Sequence, residues 1–136
     1  MTESYLIIHI RIIGVCFILL GLVHVIFPSY FNWKNELNKL SLINRQMMQF
    51  HTFFIALMIM LIGLLCLTSA SELVGSKLGK ILSIGFAVFW TCRLFVQFFG
   101  YSSALWKNKP FETVVHVFFS VLWVYVSTVF WLNGLG

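Results

Sequence analysis

The sequence predicts an all-α integral membrane protein: four spanning helices in an up-down-up-down bundle, with a short interfacial helix between spans one and two. Three observations carry this. Of 136 residues, 60% are hydrophobic and only 10% charged, against about 25% charged in a soluble domain. Four apolar segments, roughly residues 5–27, 47–68, 78–101 and 111–132, each come near the ~20 residues that cross about 30 Å of hydrocarbon. These runs are continuous instead of alternating in polarity, which selects helices over barrel strands. The length suits a single four-span domain over residues 1–136.

The first span is predicted to stay attached. The stretch MTESYLIIHIRIIG has no basic leader, and no small-residue cleavage site follows Phe27. Pro28 closes this span. In residues 29–46, Trp33, Leu37 and Leu40 recur at i, i+4 and i+7 with Lys34, Asn35, Asn38 and Lys39 between them. That pattern predicts an amphipathic helix lying in the interface. Gly75, Ser76 and Gly79 mark a short link between spans two and three, and Pro110 suits the first turn of span four. Short links make neighbours antiparallel. Tyr30, Trp33, Tyr101 and Trp106 fall at span ends on one side and are read as an aromatic interface belt.

The net charge of +5 is scattered over the connections and reads as contact with anionic headgroups. No basic face with aromatics exists for nucleic acid. The three cysteines, Cys16, Cys66 and Cys92, lie in apolar runs without a C-x-x-C pair, so they are expected as small buried residues. Met47, Met48, Met58 and Met60 are expected as core filling. Lys34, Lys39, Arg45, Lys107 and Lys109 outnumber Lys77, Lys80 and Arg11 on the other side. The excess predicts a cytoplasmic first side, hence both termini outside, in a membrane of the bacterial inner type.

The antiparallel order gives the polar residues meaning. His24 closes span one, His51 opens span two, Arg93 and Gln97 lie near the end of span three, and Glu112 and His116 open span four. At 1.5 Å per residue all sit on the order of 2–12 Å inside the same side. Ionisable groups in hydrocarbon normally face the bundle interior and find partners. Arg93 with Gln97, and Glu112 with His116, are each spaced i, i+4 and share a helix face. Gly21, one turn before His24, would admit close approach. His9 and Arg11 are read as rim residues.

Three chemistries suit such a layer. His24, His51 and His116, with Glu112, could ligate a transition metal ion, or two of the imidazoles could be axial to a haem with Arg93 on a propionate, as in a haem- or metal-binding or redox-accessory membrane protein. Arg93 and Gln97 could instead bind an anionic or quinone-like molecule, for binding alone or for transport, with Glu112 and His116 moving protons. Or the layer could be a hydrogen-bonded plug in a structural or assembly subunit of a larger membrane complex. Membrane lipids are the expected partners, and a homo-oligomer would relieve the limits of so short a chain. No nucleotide loop, nucleophile elbow or zinc-protease motif is present, so no catalytic residue is assigned.

Overall fold

The computed structural model describes residues 2–136, apart from the side chain of Ser103. No strand occurs among the described residues, and four helices are long and apolar enough to cross a membrane. These are α1 (Glu3–Val23), α4 (Leu42–Thr68), α6 (Lys77–Phe95), continued to Gly100 by a π-helical stretch, and α7 (Pro110–Leu135). Short helices α2 (Phe27–Tyr30), α3 (Trp33–Glu36) and α5 (Ala70–Gly75) lie in the connections. The chain divides into two units: Ile10–Ala70, and Ser71–Gly136 with the chain up to His9.

In the Ile10–Ala70 unit, α1 and α4 meet along a glycine seam. A Cβ on Gly14 would lie 2.8 Å from the Gly63 carbonyl oxygen, and one on Gly63 would lie 2.9 Å from the Gly14 carbonyl oxygen. Two turns on, a Cβ on Gly21 would strike the Met60 side chain and lie 3.2 Å from the Ala56 carbonyl oxygen. As α1 rises from 14 to 21, its partner falls from 63 to 56, so the two helices run antiparallel. Small residues allow this approach where lipid supplies no hydrophobic drive between helices. Outside the seam, Phe50, Phe53, Phe54, Leu57, Met58 and Leu61 are exposed, as a lipid-facing surface would be.

The connection carries its helical turns in short pieces. Asn32 adopts a left-handed conformation (φ 55°) and divides the segment into α2 and α3, followed by a 3-10 turn at Leu37–Lys39. Of the predicted stripe, Leu37 is buried, Trp33 half-buried and Leu40 exposed. α1 ends at Val23, short of the expected 27, because residues 24–27 turn through i→i+3 bonds. α4 begins at Leu42, ahead of the expected 47, because the Ser41 hydroxyl accepts from the Asn44 N–H (3.4 Å) and starts the helix through its polar residues.

In the other unit, α6 and α7 form an antiparallel pair around an aromatic core. Phe86 meets Phe130 (5.2 Å between ring centroids), Trp90 lies between Phe130 (6.1 Å) and Trp123 (6.5 Å), and Phe119 stacks on Trp123 (5.8 Å). Ser76 caps α6, accepting from the Gly79 N–H at 2.9 Å. Pro110 opens α7 as predicted. α7 runs past 132 to include Asn133, which is fully buried. Its amide donates to the Leu73 carbonyl (2.9 Å) and to the Ser83 hydroxyl (2.6 Å), tying α7 to α5 and α6. Lys80 Nζ donates to the Asn133 carbonyl at 3.2 Å.

The soft residues correct two sequence expectations. Cys66 is buried and Cys16 half-buried, but Cys92 is exposed. Met47, Met48 and Met58 face outward, and only Met60 packs into the glycine seam.

Candidate functional site

The end of α6 and the start of α7 build a polar cluster from three of the predicted residues. Arg93 lies in the last turn of α6, and Gln97 four residues on in the π-helical stretch Val96–Gly100. That wider turn is closed by the Tyr101 N–H donating to the Val96 carbonyl at 3.3 Å. Such insertions recur at functional sites because they re-aim the side chains around them. Here Gln97 is buried and points across to α7.

The proton positions follow from what each group can donate. A guanidinium only donates, so the Gln97 oxygen faces Arg93, accepting from Nη1 at 3.3 Å. The Gln97 amide nitrogen therefore faces His116, donating to Nδ1 at 3.0 Å and more weakly to the His116 carbonyl at 3.4 Å. Nδ1 is then the acceptor, and the neutral ring carries its proton on Nε2. Trp106 stacks on the imidazole at 4.7 Å and 18° between planes. Thr113 fixes the loop that brings Trp106 there, its hydroxyl donating to the Trp106 carbonyl at 2.6 Å.

Arg93 is held by rings instead of by an acid. Its guanidinium carbon lies 5.4 Å from the centroids of both Tyr101 and Trp123. A cation over an aromatic face gains about 2 kcal/mol or more when desolvated, which offsets part of the cost of placing a charge at membrane depth. Among the described residues the single ion pair joins Lys39 to Glu36 (3.7 Å), so no carboxylate neutralises Arg93. The one side-chain hydrogen bond of Arg93, to Gln97, leaves most of its five donors open.

The remaining predicted residues are placed differently. Glu112 is half-buried in the first turn of α7, where a carboxylate favours the positive helix end. It makes no bond to His116 despite the i, i+4 spacing; His116 turns to Gln97 instead. His24 lies in the turn after α1, its Nδ1–H donating to the Leu20 carbonyl at 2.7 Å and its ring 4.6 Å from Phe27. His51 is exposed on α4. His24 and His51 thus belong to one unit, and Arg93, Gln97, Glu112 and His116 to the other. Among the described residues no three His, Cys, Asp or Glu side chains converge as a metal-binding group. The metal expectation therefore finds no support in the geometry, because single imidazoles without converging partners do not make a transition-metal site.

Two of the four belt residues, Tyr101 and Trp106, serve the cluster through the Arg93 and His116 contacts. Tyr30 is exposed, its ring edge-on to Phe31 at 5.0 Å. His9 is more than a rim residue, sharing a 2.6 Å hydrogen bond with the Tyr125 hydroxyl. Sequence reading missed Trp123 as a wall of the cluster and Asn133 with Ser83 as a buried lock. An Asn near the end of an apolar span was the available signal, since such a group must find partners. No protein-family model matches the sequence, and no similar curated protein or solved structure was found.

Proposed function

We propose that the chain is a small four-span membrane protein, its helices arranged up-down-up-down, that binds an anionic or quinone-like molecule at Arg93. The observation that carries this reading is a permanent cation at membrane depth with open donors and no acid partner. A carboxylate, phosphate or polarised quinone oxygen would complete it, the planar guanidinium offering two parallel N–H groups. Gln97 orients Arg93 from one side, Tyr101 and Trp123 confine it, and His116 presents its Nε2 proton within the same cluster. Both termini lie on the non-cytoplasmic face of an inner-type membrane; a reporter fused after Gly136 is expected to read that side.

A second reading uses the same bonds as a clasp in a structural subunit, because Gln97 already joins α6 to α7 with both ends of its amide engaged. The substitution Gln97→Glu separates the two. It supplies Arg93 with an internal carboxylate in the position of the amide. If Arg93 binds an anion, Gln97→Glu displaces it while thermal stability holds, because His116 can shift its proton to Nδ1 and donate to the new carboxylate where it accepted from the amide. The measurement is organic extraction and mass spectrometry of mild-detergent preparations of wild type, Arg93→Ala and Gln97→Glu. We expect a stoichiometric carboxylate, phosphate ester or quinone from the wild type alone. Wild-type preparations without any such molecule, or variants that retain it, leave the clasp. A Soret band in the same preparations would replace both readings with haem ligation.

A further inference from the structure

The Ile10–Ala70 unit contains a second cationic feature, unconnected with the Arg93 reading. A cavity of about 680 Å³ opens between the end of α1, the α2–α3 segment and the first half of α4. Its polar wall consists of Lys34, Arg45, Asn38, Gln49 and His24, with Thr52 below them. No acidic side chain lines it. The one acid of the neighbouring loop, Glu36, is engaged by Lys39 at 3.7 Å and leaves Lys34 and Arg45 without a counter-charge. Arg45 has a single side-chain bond, Nη1 to the Asn38 oxygen at 3.4 Å, which aims it without neutralising it.

The wall is graded along one helix face. Arg45, Gln49, Thr52, Phe53 and Ala56 recur at i, i+4, i+7, i+8 and i+11 on α4. From Arg45 to Ala56 the face descends about 16 Å, at 1.5 Å per residue. Basic and amide groups occupy the top of this face and Phe53 and Ala56 the bottom, and Val25 also lines the cavity. Trp33 stands at the rim, an amphipathic ring of the kind that settles at headgroup level. Polar above and apolar below, over this depth, matches a phosphate-bearing headgroup with the first part of an acyl chain.

We propose that this cavity is a binding site for a phosphate-bearing anion, with Lys34 and Arg45 as the charged contacts, Asn38 and Gln49 as hydrogen-bond donors, and the Val25–Phe53–Ala56 wall receiving an acyl chain. Arg45 presents the planar fork that suits phosphate oxygens, and Lys34 a point charge. The shared chemistry is the phosphate; an anionic phospholipid and free phosphate are the two sources.

The test uses the full chain and defined probes. Native mass spectrometry is run on protein from nanodiscs of phosphatidylcholine with and without phosphatidylglycerol, and inorganic phosphate is titrated in detergent. We expect retention of phosphatidylglycerol over phosphatidylcholine. Retention should fall about fivefold in Lys34→Gln or Arg45→Gln and about 25-fold in the double variant. Inorganic phosphate competing at the same residues, with no lipid preference, would support the phosphate site and assign it to the free ion. The double variant Lys107→Gln/Lys109→Gln removes equal charge from residues that do not line the cavity and is expected to leave retention unchanged. Equal retention of both lipids without phosphate competition, or an equal loss in the Lys107/Lys109 variant, overturns the proposal. Because Lys34 is exposed and half-buried Arg45 makes only an exposed hydrogen bond to Asn38, the Gln variants should fold, which helical circular dichroism checks.

Discussion

The two helix pairs of this chain solve the same problem by different means. α1 and α4 are held by absence: Gly14, Gly21 and Gly63 remove side chains so that backbones touch, and no side-chain hydrogen bond crosses between the helices among the described residues. α6 and α7 are held by presence: Trp90, Trp123 and Phe130 fill the gap, and polar groups bridge it near both ends, Gln97 to His116 and Asn133 to Ser83. In lipid both strategies work, because packing and interhelical hydrogen bonds carry association when the hydrophobic drive is missing. They differ in what each leaves over. A glycine seam consumes no chemistry: what meets Gly14, Gly21 and Gly63 is backbone and apolar side chain. The bridged pair must bring polar residues into the membrane, and one of them, Arg93, stays charged without an acid to balance it.

The comparison breaks most severely at the seam. Gly63→Leu places a branched side chain where even a Cβ would sit 2.9 Å from the Gly14 carbonyl oxygen and 3.1 Å from the Phe17 Cβ. Backbone atoms cannot swing away as a long side chain can, so α1 and α4 must separate. Overpacking of this kind costs on the order of 1–3 kcal/mol, with rigid sites at the upper end. The expected result is a loss of at least that size in unfolding by denaturing detergent. A Gly63→Leu protein as stable as the wild type would mean that α1 and α4 do not touch there.

Next in size is the buried lock of the bridged pair. Asn133→Ala removes the donors to the Leu73 carbonyl and the Ser83 hydroxyl. Interhelical hydrogen bonds in membranes are worth about 0.6 kcal/mol each on average and at most about 1.7, so a loss of about 1–2 kcal/mol is expected. The Asn133 oxygen is buried without a partner, which trims the net effect, since that cost disappears with the side chain. Equilibrium unfolding of Asn133→Ala, Ser83→Ala and the double variant measures the coupling; additive losses would show that the two side chains do not act on one another.

How much of this was legible beforehand follows from the same contrast. The four spans are read from apolar runs alone, and Gly14 and Gly21 are visible as a pair seven residues apart. Gly63 is not, because nothing in a single sequence states which residue of α4 faces Gly14. The polar cluster repeats the lesson. Arg93 with Gln97 is a correct face of one helix, whereas Glu112 with His116 shares a face without sharing a bond. Register between helices comes from packing, and packing turns His116 to Gln97. Tyr101 and Trp106 look like interface anchors because they stand at span ends; their contacts with Arg93 and His116 depend on packing that the sequence does not state. Helix ends moved for local reasons: Ser41 starts α4 early, and the left-handed Asn32 separates α2 from α3.

The smallest effect sharpens the comparison most. Gly85 lies in the middle of α6, exposed, and a Cβ built on it meets nothing within 4 Å. If glycine matters in this chain through close approach, then a glycine without a neighbour contributes only backbone freedom. Gly85→Ala should therefore stabilise α6 slightly, by about 0.5–1 kcal/mol, since glycine loses more freedom than alanine on entering a helix. The same substitution at Gly63 must push against backbone and should destabilise. Opposite signs for one chemical change on two helices would tie the seam to contact and not to composition. If Gly85→Ala destabilises instead, another surface must press against that face of α6, and a second copy of the chain would be the first partner to look for, by cross-linking from Cys92 on the same exposed helix.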